Sequence, residues 1–308
     1  MHSTALPNQK KQRFMMITAI IGLLLVGAVF LALKYFGTRY AVQMIDDQIQ
    51  ESGLTPLIHY QKISFDPLTL TPTLHSVSIG NKNAPWLRFS QIKFNSLPAI
   101  YPKLDIEFQF DSRSQPLARD TRRLMAIAGI KQLAGHGRFL STPKGNNINS
   151  SLTLDISQVG KLLLTSNMDI LDANFSLNEL RSDFLASMAL GQLDAMPILY
   201  GDSIALHNLA FRFQDNGLTR HIWPNAQNTR NNKVTLAFLK TLINNTGLAP
   251  YESIQAEHIA TQIQDFLTRP QRLSFSMMPK QAIKLATLMT LFQNKSLYRE
   301  SEMNLAAR

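Results

Sequence analysis

The sequence predicts an α+β protein in which an N-terminal transmembrane helix precedes a curved antiparallel sheet of short strands and a C-terminal helical cluster. Three observations support this class. Residues 14–33 carry no charge, apolar side chains between residues 63 and 213 recur mainly at every second position, and the spacing is helical over much of residues 218–292. Because βαβ units with glycine-rich crossovers are missing from the pattern, we expect an antiparallel sheet.

The N-terminal apolar run reads FMMITAIIGLLLVGAVFLAL in residues 14–33. As a helix it would cross a hydrocarbon core of about 30 Å. A cleavable signal peptide is the alternative, but its apolar region is usually only about 7 to 15 residues long. The aromatic and basic residues of Lys34–Tyr40 are typical of a membrane interface. We therefore expect an uncleaved signal anchor over residues 14–36. Its representative anchor positions are Phe14, Ile20, Leu24, Phe30 and Leu33.

The charges flanking the anchor predict its orientation. Residues 1–13 contain three basic residues, Lys10, Lys11 and Arg13, and no acidic residue. Since basic residues favour the cytoplasmic side, residues 1–13 should be cytoplasmic and the C-terminal domain periplasmic. No later run is long enough to span again, so the expected location is a bacterial inner membrane, in single-pass topology. The absence of cysteine is compatible with a periplasmic domain.

The exported part is expected to begin with a helix. Val42, Ile45 and Ile49 have helical spacing and Gly53 ends it, which predicts a stalk helix over residues 37–53. A periplasmic α+β domain then covers residues 54–295, and residues 296–308 are expected to form a polar tail.

The strand signal is clearest in residues 104–110, LDIEFQF. Its alternation predicts one buried and one solvated face, as in antiparallel sheets. Leu68 and Leu70 show the same spacing and are assigned to a strand, as are Phe175 and Leu177. The buried face of residues 104–110 would carry Leu104, Ile106, Phe108 and Phe110.

A basic amphipathic helix is predicted within residues 116–135, where Leu124 and Ile127 alternate with Arg122 and Arg123. Two interpretations are open. The helix either binds a membrane surface or packs on the sheet with a solvated basic face. Its shortness and its lack of tryptophan and phenylalanine favour the second interpretation.

Two stretches resemble known families of bacterial envelope proteins. The segment YQKISFDPLTL in residues 60–70, with the strands that follow it, resembles the opening strand repeats of AsmA-like proteins. Residues 209–220, LAFRFQDNGLTR, and residues 263–279, IQDFLTRPQRLSFSMMP, are similar to the YdgA-type family of membrane-anchored proteins. The resemblance implies an envelope location and a sheet exposed to the periplasm, but it brings no catalytic residues.

Searches for catalytic and ligand-binding motifs predict a non-enzymatic protein. The seven histidines include no HExxH and no pair at helical spacing, and no GxSxG occurs. Asp215 precedes an Asn-Gly pair, which favours a turn and a helix cap over a cation site. The net charge of +10 contains no basic run typical of nucleic-acid binding. We expect no catalytic residue, no cofactor, no metal and no nucleic-acid partner.

The apolar strand faces are the remaining functional feature. A sheet face that helices leave uncovered would present an apolar surface beside a lipid source. A fully closed core is the alternative. The candidate groove residues are Phe65, Phe89, Phe94, Leu154, Phe211 and Phe213. Besides the bilayer, the expected partner is a lipid ligand held on a sheet face; alternatively, the domain is an accessory or scaffold subunit of a secretion, pilus or envelope-assembly complex.

Overall fold

The computed structural model describes residues 9–96, 102–111, 117–172, 176–190, 192, 195–224 and 233–307, without the side chains of residues 9–24, 185, 188 and 189. The helices are α1 (Gln9–Glu51), α2 (Arg119–Ile127), α3 (Leu177–Leu190), α4 (Ala195–Tyr200), α5 (Leu218–Ile222), α6 (Lys233–Asn245), α7 (Ile254–Thr268), α8 (Leu285–Gln293) and α9 (Leu297–Glu300). The strands are β1 (Ile58–His59), β2 (Lys62–Asp66), β3 (Thr71–Asn81), β4 (Ala84–Phe94), β5 (Leu104–Phe110), β6 (Gly135–Lys144), β7 (Asn147–Ile156), β8 (Gly160–Ile170), β9 (Ile204–Asp215), β10 (Arg272–Met277), β11 (Ile283–Lys284) and β12 (Met303–Ala307).

In the part of the chain that the structure describes, twelve strands form one open antiparallel sheet. Its order is β1-β3-β4-β5-β6-β7-β8-β9-β10-β12, with β2 also paired to β3 and β11 to β9. From β3 to β10 the chain adds strands in sequence order, and helices fill the longer connections. The α+β class and the antiparallel sheet are confirmed.

Strand register separates an apolar face from a polar face. On β6, Phe139 lies opposite Ile106 of β5 and Leu152 of β7. The next residue, Arg138, points to the other face and lies opposite Glu107 and Thr153. Because neighbouring side chains alternate between faces, one face gathers the apolar residues of successive strands.

Helix α1 joins the predicted anchor and stalk into one continuous helix of 43 residues. At about 1.5 Å per residue it is about 65 Å long. Residues 25–36 are exposed to solvent although most of them are apolar. Among the described residues, one helical segment, Leu25–Glu51, is long and apolar enough to cross a membrane.

The second half of α1 packs on the first strands of the sheet. Gly37 lies against the ring of Phe65, where an added Cβ would be 2.3 Å from two ring carbons. Ala41 is buried in the same cluster as Phe65. Small residues at these two positions let the helix backbone approach the ring. The segment predicted as a stalk is therefore part of the domain core.

Two main cores cover opposite ends of the apolar face. The first, beneath α1, contains Ala41, Leu54, Ile63, Phe65, Leu74, Val77, Ile79, Phe89 and Phe110. The second, where α6 and α7 pack against each other and against β12, contains Leu239, Ile243, Ala249, Ala256, Ile259, Ala260 and Leu305. A smaller cluster forms where Leu180 of α3 meets Tyr200 of α4 and the strand ends.

Several local predictions are wrong. Leu68 and Leu70 lie in the turn between β2 and β3 and are exposed, because the strand ends at Asp66. Leu177 begins α3, and Phe175 lies outside the described residues. The predicted polar tail over residues 296–308 instead forms α9 and β12, because β12 adds to the free edge of β10 and buries its apolar side chains.

The predicted helix in residues 116–135 is confirmed only over the nine residues of α2. It is held to β4, where the hydroxyl of Thr121 donates to the carbonyl oxygen of Trp86 at 2.8 Å. Leu124 and Ile127 are exposed, so the apolar side of this helix is not packed on the sheet as the favoured interpretation required. The expected helix cap is confirmed, since Asp215 accepts hydrogen bonds from the backbone N–H groups of Gly217 and Thr219.

Candidate functional site

A cross-strand row of apolar side chains runs over the centre of the apolar face. Each member lies directly opposite the next in the register of adjacent strands. We call this row the central patch; it consists of Ile106, Phe139, Leu152, Leu164 and Phe211. Five strands at about 4.8 Å spacing make it about 19 Å long.

The central patch lies between the two main cores. Phe94, the partner of Ile106, packs against the core beneath α1. Phe275, the partner of Phe211, packs against the core of α6 and α7. The five residues of the patch are each half-buried, and among the described residues they belong to neither core. The row therefore lies on the stretch of the apolar face between the two cores and is only partly covered.

A row of hydroxyl groups borders the central patch. Ser141, Ser150 and Ser166 lie opposite one another on β6, β7 and β8. They share the face of the patch because each stands two residues from one of its members. Phe139 and Ser141, for example, are adjacent on one side of β6. The site thus combines an apolar floor with a polar border.

Arg181 of α3 supplies a positive charge at that border. Its Nη2 donates to the carbonyl oxygen of Pro102 at 2.8 Å and lies 3.4 Å from the hydroxyl of Ser141. Burial lowers the pKa of the Arg181 guanidinium from its ordinary value. Its Nε is buried and has no hydrogen-bond partner among the described atoms.

The structure separates the six predicted groove residues into three groups. Phe65 and Phe89 lie in the core beneath α1 and do not line a groove, because α1 covers Phe65 and the rings of Phe108 and Phe110 pack around Phe89. Phe94 and Leu154 pack at the margin of that core. Phe211 lies in the central patch, and Phe213 flanks it, in contact with the ring of Phe266 at 6.1 Å between centroids.

The predicted anchor residues lie on α1. Phe30 and Leu33 are exposed, by 39% and 46%. Phe14, Ile20 and Leu24 fall in the helix, but their side chains lie outside the described residues. An apolar helical surface that the protein does not cover is what insertion into lipid requires.

Four residues of the patch, Ile106, Phe139, Leu152 and Leu164, were not predicted as site residues. The sequence-based choice of groove residues favoured aromatic side chains. Whether a residue lines the patch depends instead on its position on the sheet. One signal could have found two of them: Gly145-Asn146 is a two-residue hairpin turn flanked by Lys144 and Asn147. Such a turn fixes the register of its strands and places Phe139 opposite Leu152.

The polar face is held by an ion pair beneath the patch. Arg138 donates from Nε and Nη2 to the two carboxylate oxygens of Asp105, at 2.8 and 2.7 Å. The side chain of Asp105 is only 4% exposed, so this position is not solvated as the alternation predicted. Hydrogen bonding from Arg138 lowers the pKa of Asp105 to about 2.

A separate cavity of about 770 Å³ lies between the end of α1 and the strands β1, β3 and β4. Most of its lining residues are polar or charged, including Asp46, His59, Tyr60, Lys82 and Arg88. Burial, together with the hydrogen bond to Asp46, raises the pKa of Tyr60 to about 12. This polar lining does not suit an apolar ligand. Among the described residues, no three His, Asp or Glu side chains converge on a metal position.

Comparison with known proteins identifies a family through the C-terminal half of the chain. A family model described as "Uncharacterized protein" matches residues 153–307, just over half of the chain. The chain belongs to this family. The matched region contains Leu164, Arg181 and Phe211, whereas α1 and the first strands precede it. No curated protein matches the sequence.

Proposed function

We propose that this protein is a non-enzymatic, membrane-anchored envelope protein whose central patch holds the acyl chain of a lipid. One observation carries the proposal: a row of five half-buried apolar side chains lies between two cores on the same sheet face and belongs to neither of them. Its length of about 19 Å exceeds half of a hydrocarbon core of about 30 Å, which is the span of one acyl chain.

Anchoring by α1 is the second part of the proposal. The apolar, exposed residues 25–36 support insertion, and the basic residues before them support a cytoplasmic N-terminus. The domain would then face the periplasm from a bacterial inner membrane, with its sheet curved around the ligand, helices at its C-terminal side and lipid within reach. The resemblance to AsmA-like and YdgA-type proteins is consistent with this location.

Binding of a fluorescent fatty acid to the full chain in mild detergent tests the ligand. Leu152→Asn places an amide in the middle of the patch, and we expect it to weaken binding at least about tenfold, because the amide must be desolvated against the chain. Since Leu152 is half-buried, the variant should lose only about 1 to 2 kcal/mol of stability and remain folded.

The matched control is Thr153→Asn, which changes the neighbouring residue on the polar face. It should leave both binding and melting unchanged. Equal binding by wild type and Leu152→Asn would contradict the proposal, as would a wild type that takes up no probe beyond the detergent background.

The proposed orientation of the protein in the membrane is tested separately. A phosphatase reporter that is active only outside the cytoplasm, fused after Arg308, should be active in a bacterial host. A reporter that works only in the cytoplasm, active at the same position, would contradict a periplasmic domain.

A scaffold function is the second candidate, and helix α6 favours it. Val234, Phe238 and Leu242 lie at successive i+4 positions and are exposed by 76%, 55% and 48%. A stripe of this kind can dock a partner protein. Native mass spectrometry of the full chain distinguishes the candidates: bound lipid supports the first, and a stoichiometric protein partner supports the second.

A further inference from the structure

Arg181 occupies an unusual position for a basic residue. It extends from α3 to the sheet, where its Nη2 meets the carbonyl oxygen of Pro102 and the hydroxyl of Ser141. Ser141 stands two residues from Phe139 on the same face of β6, a separation of about 7 Å along the strand. The guanidinium therefore lies at the edge of the central patch.

The hydrogen-bonding capacity of this guanidinium is not used up. A guanidinium has five N–H donors, and both observed contacts of Arg181 involve Nη2 and neutral oxygens. Its Nε is buried without a partner, and in the described part of the chain no carboxylate forms an ion pair with it. Burying a cation without a counter-charge is costly, so the site is suited to an anion from outside the chain.

The surroundings point to an amphipathic anion. Next to Ser141, the half-buried Ser150 on β7 can offer a further donor, and the apolar row lies two residues along the same strands. A free inorganic anion would use the donors but not the row. A ligand with an anionic group at one end and an apolar chain at the other would use both.

We infer that Arg181 binds the anionic head group of the lipid, a carboxylate or a phosphate, while its chain lies on the central patch. This inference rests on the proposed function. Arginine is suited to the role because its planar N–H pairs match the oxygens of carboxylate and phosphate. The expected ligand class is a fatty acid or an acidic phospholipid, in preference to an alcohol or a neutral glyceride.

The test compares ligands of equal chain length on the full chain in mild detergent. The first arm uses a fluorescent fatty acid and the corresponding fatty alcohol, and the second uses phosphatidic acid and diacylglycerol. Wild type should bind the acid of at least one pair about tenfold or more tightly, the gain expected for a charge-assisted hydrogen bond. The arm that shows the difference identifies carboxylate or phosphate as the head group.

Variants then assign the difference to Arg181. Arg181→Gln should weaken acid binding about tenfold and leave alcohol binding unchanged, while Arg181→Lys should recover part of the loss. Arg212→Gln is the matched control, because Arg212 is exposed on the opposite face of the strand that carries Phe211. Melting curves report whether each variant is folded.

The outcomes separate the two proposals. Equal binding of acid and neutral ligand by wild type in both arms would overturn the head-group inference and leave the acyl-chain site intact. A preference for acids that persists in a folded Arg181→Gln variant would also overturn it. If wild type binds none of the four ligands, the proposed function fails as well.

Discussion

The apolar face of the sheet is buried more deeply at its α1 end than at its centre. Phe65 and Phe89, near α1, are buried, whereas Leu152 and Phe211, in the same alternating pattern, are half-buried. The strands themselves do not cause the difference. It arises because the second half of α1 lies on the first strands, and the two main cores end on either side of the centre. Coverage, and not alternation, decides which part of an apolar face is core and which part is a surface.

The largest effect should come from the covered end. Phe65→Ala is expected to lower the free energy of unfolding by about 3 to 5 kcal/mol, since it leaves a cavity beneath α1. Phe211→Ala, in the central patch, should cost only about 1 to 2 kcal/mol because that ring is only partly buried. Urea unfolding of the two full-length variants measures both values. Similar losses of unfolding free energy at the two positions would show that the two regions do not differ in how far they are covered.

A smaller loss of stability is expected from a substitution on the polar face at the centre of the sheet. Asp105→Asn should cost about 2 kcal/mol at neutral pH, because Arg138 loses its charged partner. The carboxyl of Asp105 has a pKa of about 2, below its ordinary 3.8, so its contribution is present above about pH 4 and is lost as the pH falls towards about 2.

The measurement is the unfolding free energy of wild type and Asp105→Asn as a function of pH. The difference in unfolding free energy between wild type and Asp105→Asn should disappear as the pH is lowered. Glu107→Gln is the control, since this exposed residue lies 3.9 Å from Arg138 and should change stability by less than about 0.5 kcal/mol. A gap that stays constant down to about pH 2 would show that the ion pair does not contribute as described.

The smallest effect concerns the contact of α1 with the sheet. Gly37→Ala adds a methyl group that meets the ring of Phe65, and it should cost about 1 kcal/mol even though alanine favours helix. Gly27→Ala lies on the same helix with nothing within 4 Å of the added atom, so it should cause no loss. Thermal melting compares the two. Equal melting temperatures would mean that α1 does not press on Phe65.

The fold class was predictable because it depends on local signals. The uncharged run predicts α1, and the alternation from residue 104 to 110 predicts β5 and its apolar face. The polar composition of residues 296–308 was misleading, because burial of Met303 and Leu305 depends on pairing with β10 about thirty positions away. The sequence of one strand does not reveal a pairing partner that is so far away along the chain.

The candidate site was predictable only in part, for the same reason. Phe211 could be named from its strand, but its half-buried state depends on where α1, α6 and α7 end. Arg181 carries no motif. Its relation to Ser141, forty residues earlier, exists only in the folded chain. Local patterns predicted what each strand presents, and long-range packing decided what remains accessible.

The most direct test of the central claim maps where a lipid contacts the folded chain. A photoactivatable fatty acid, added to the full chain in lipid nanodiscs and crosslinked by light, can be located by mass spectrometry. We expect two sets of labelled peptides: residues 25–36 of α1, which the proposed function places in the bilayer, and the strands carrying Phe139, Leu152, Leu164 and Phe211. Unlabelled fatty acid should compete away the second set more effectively than the first. Labelling confined to α1, with none on the strands of the central patch, would contradict the account.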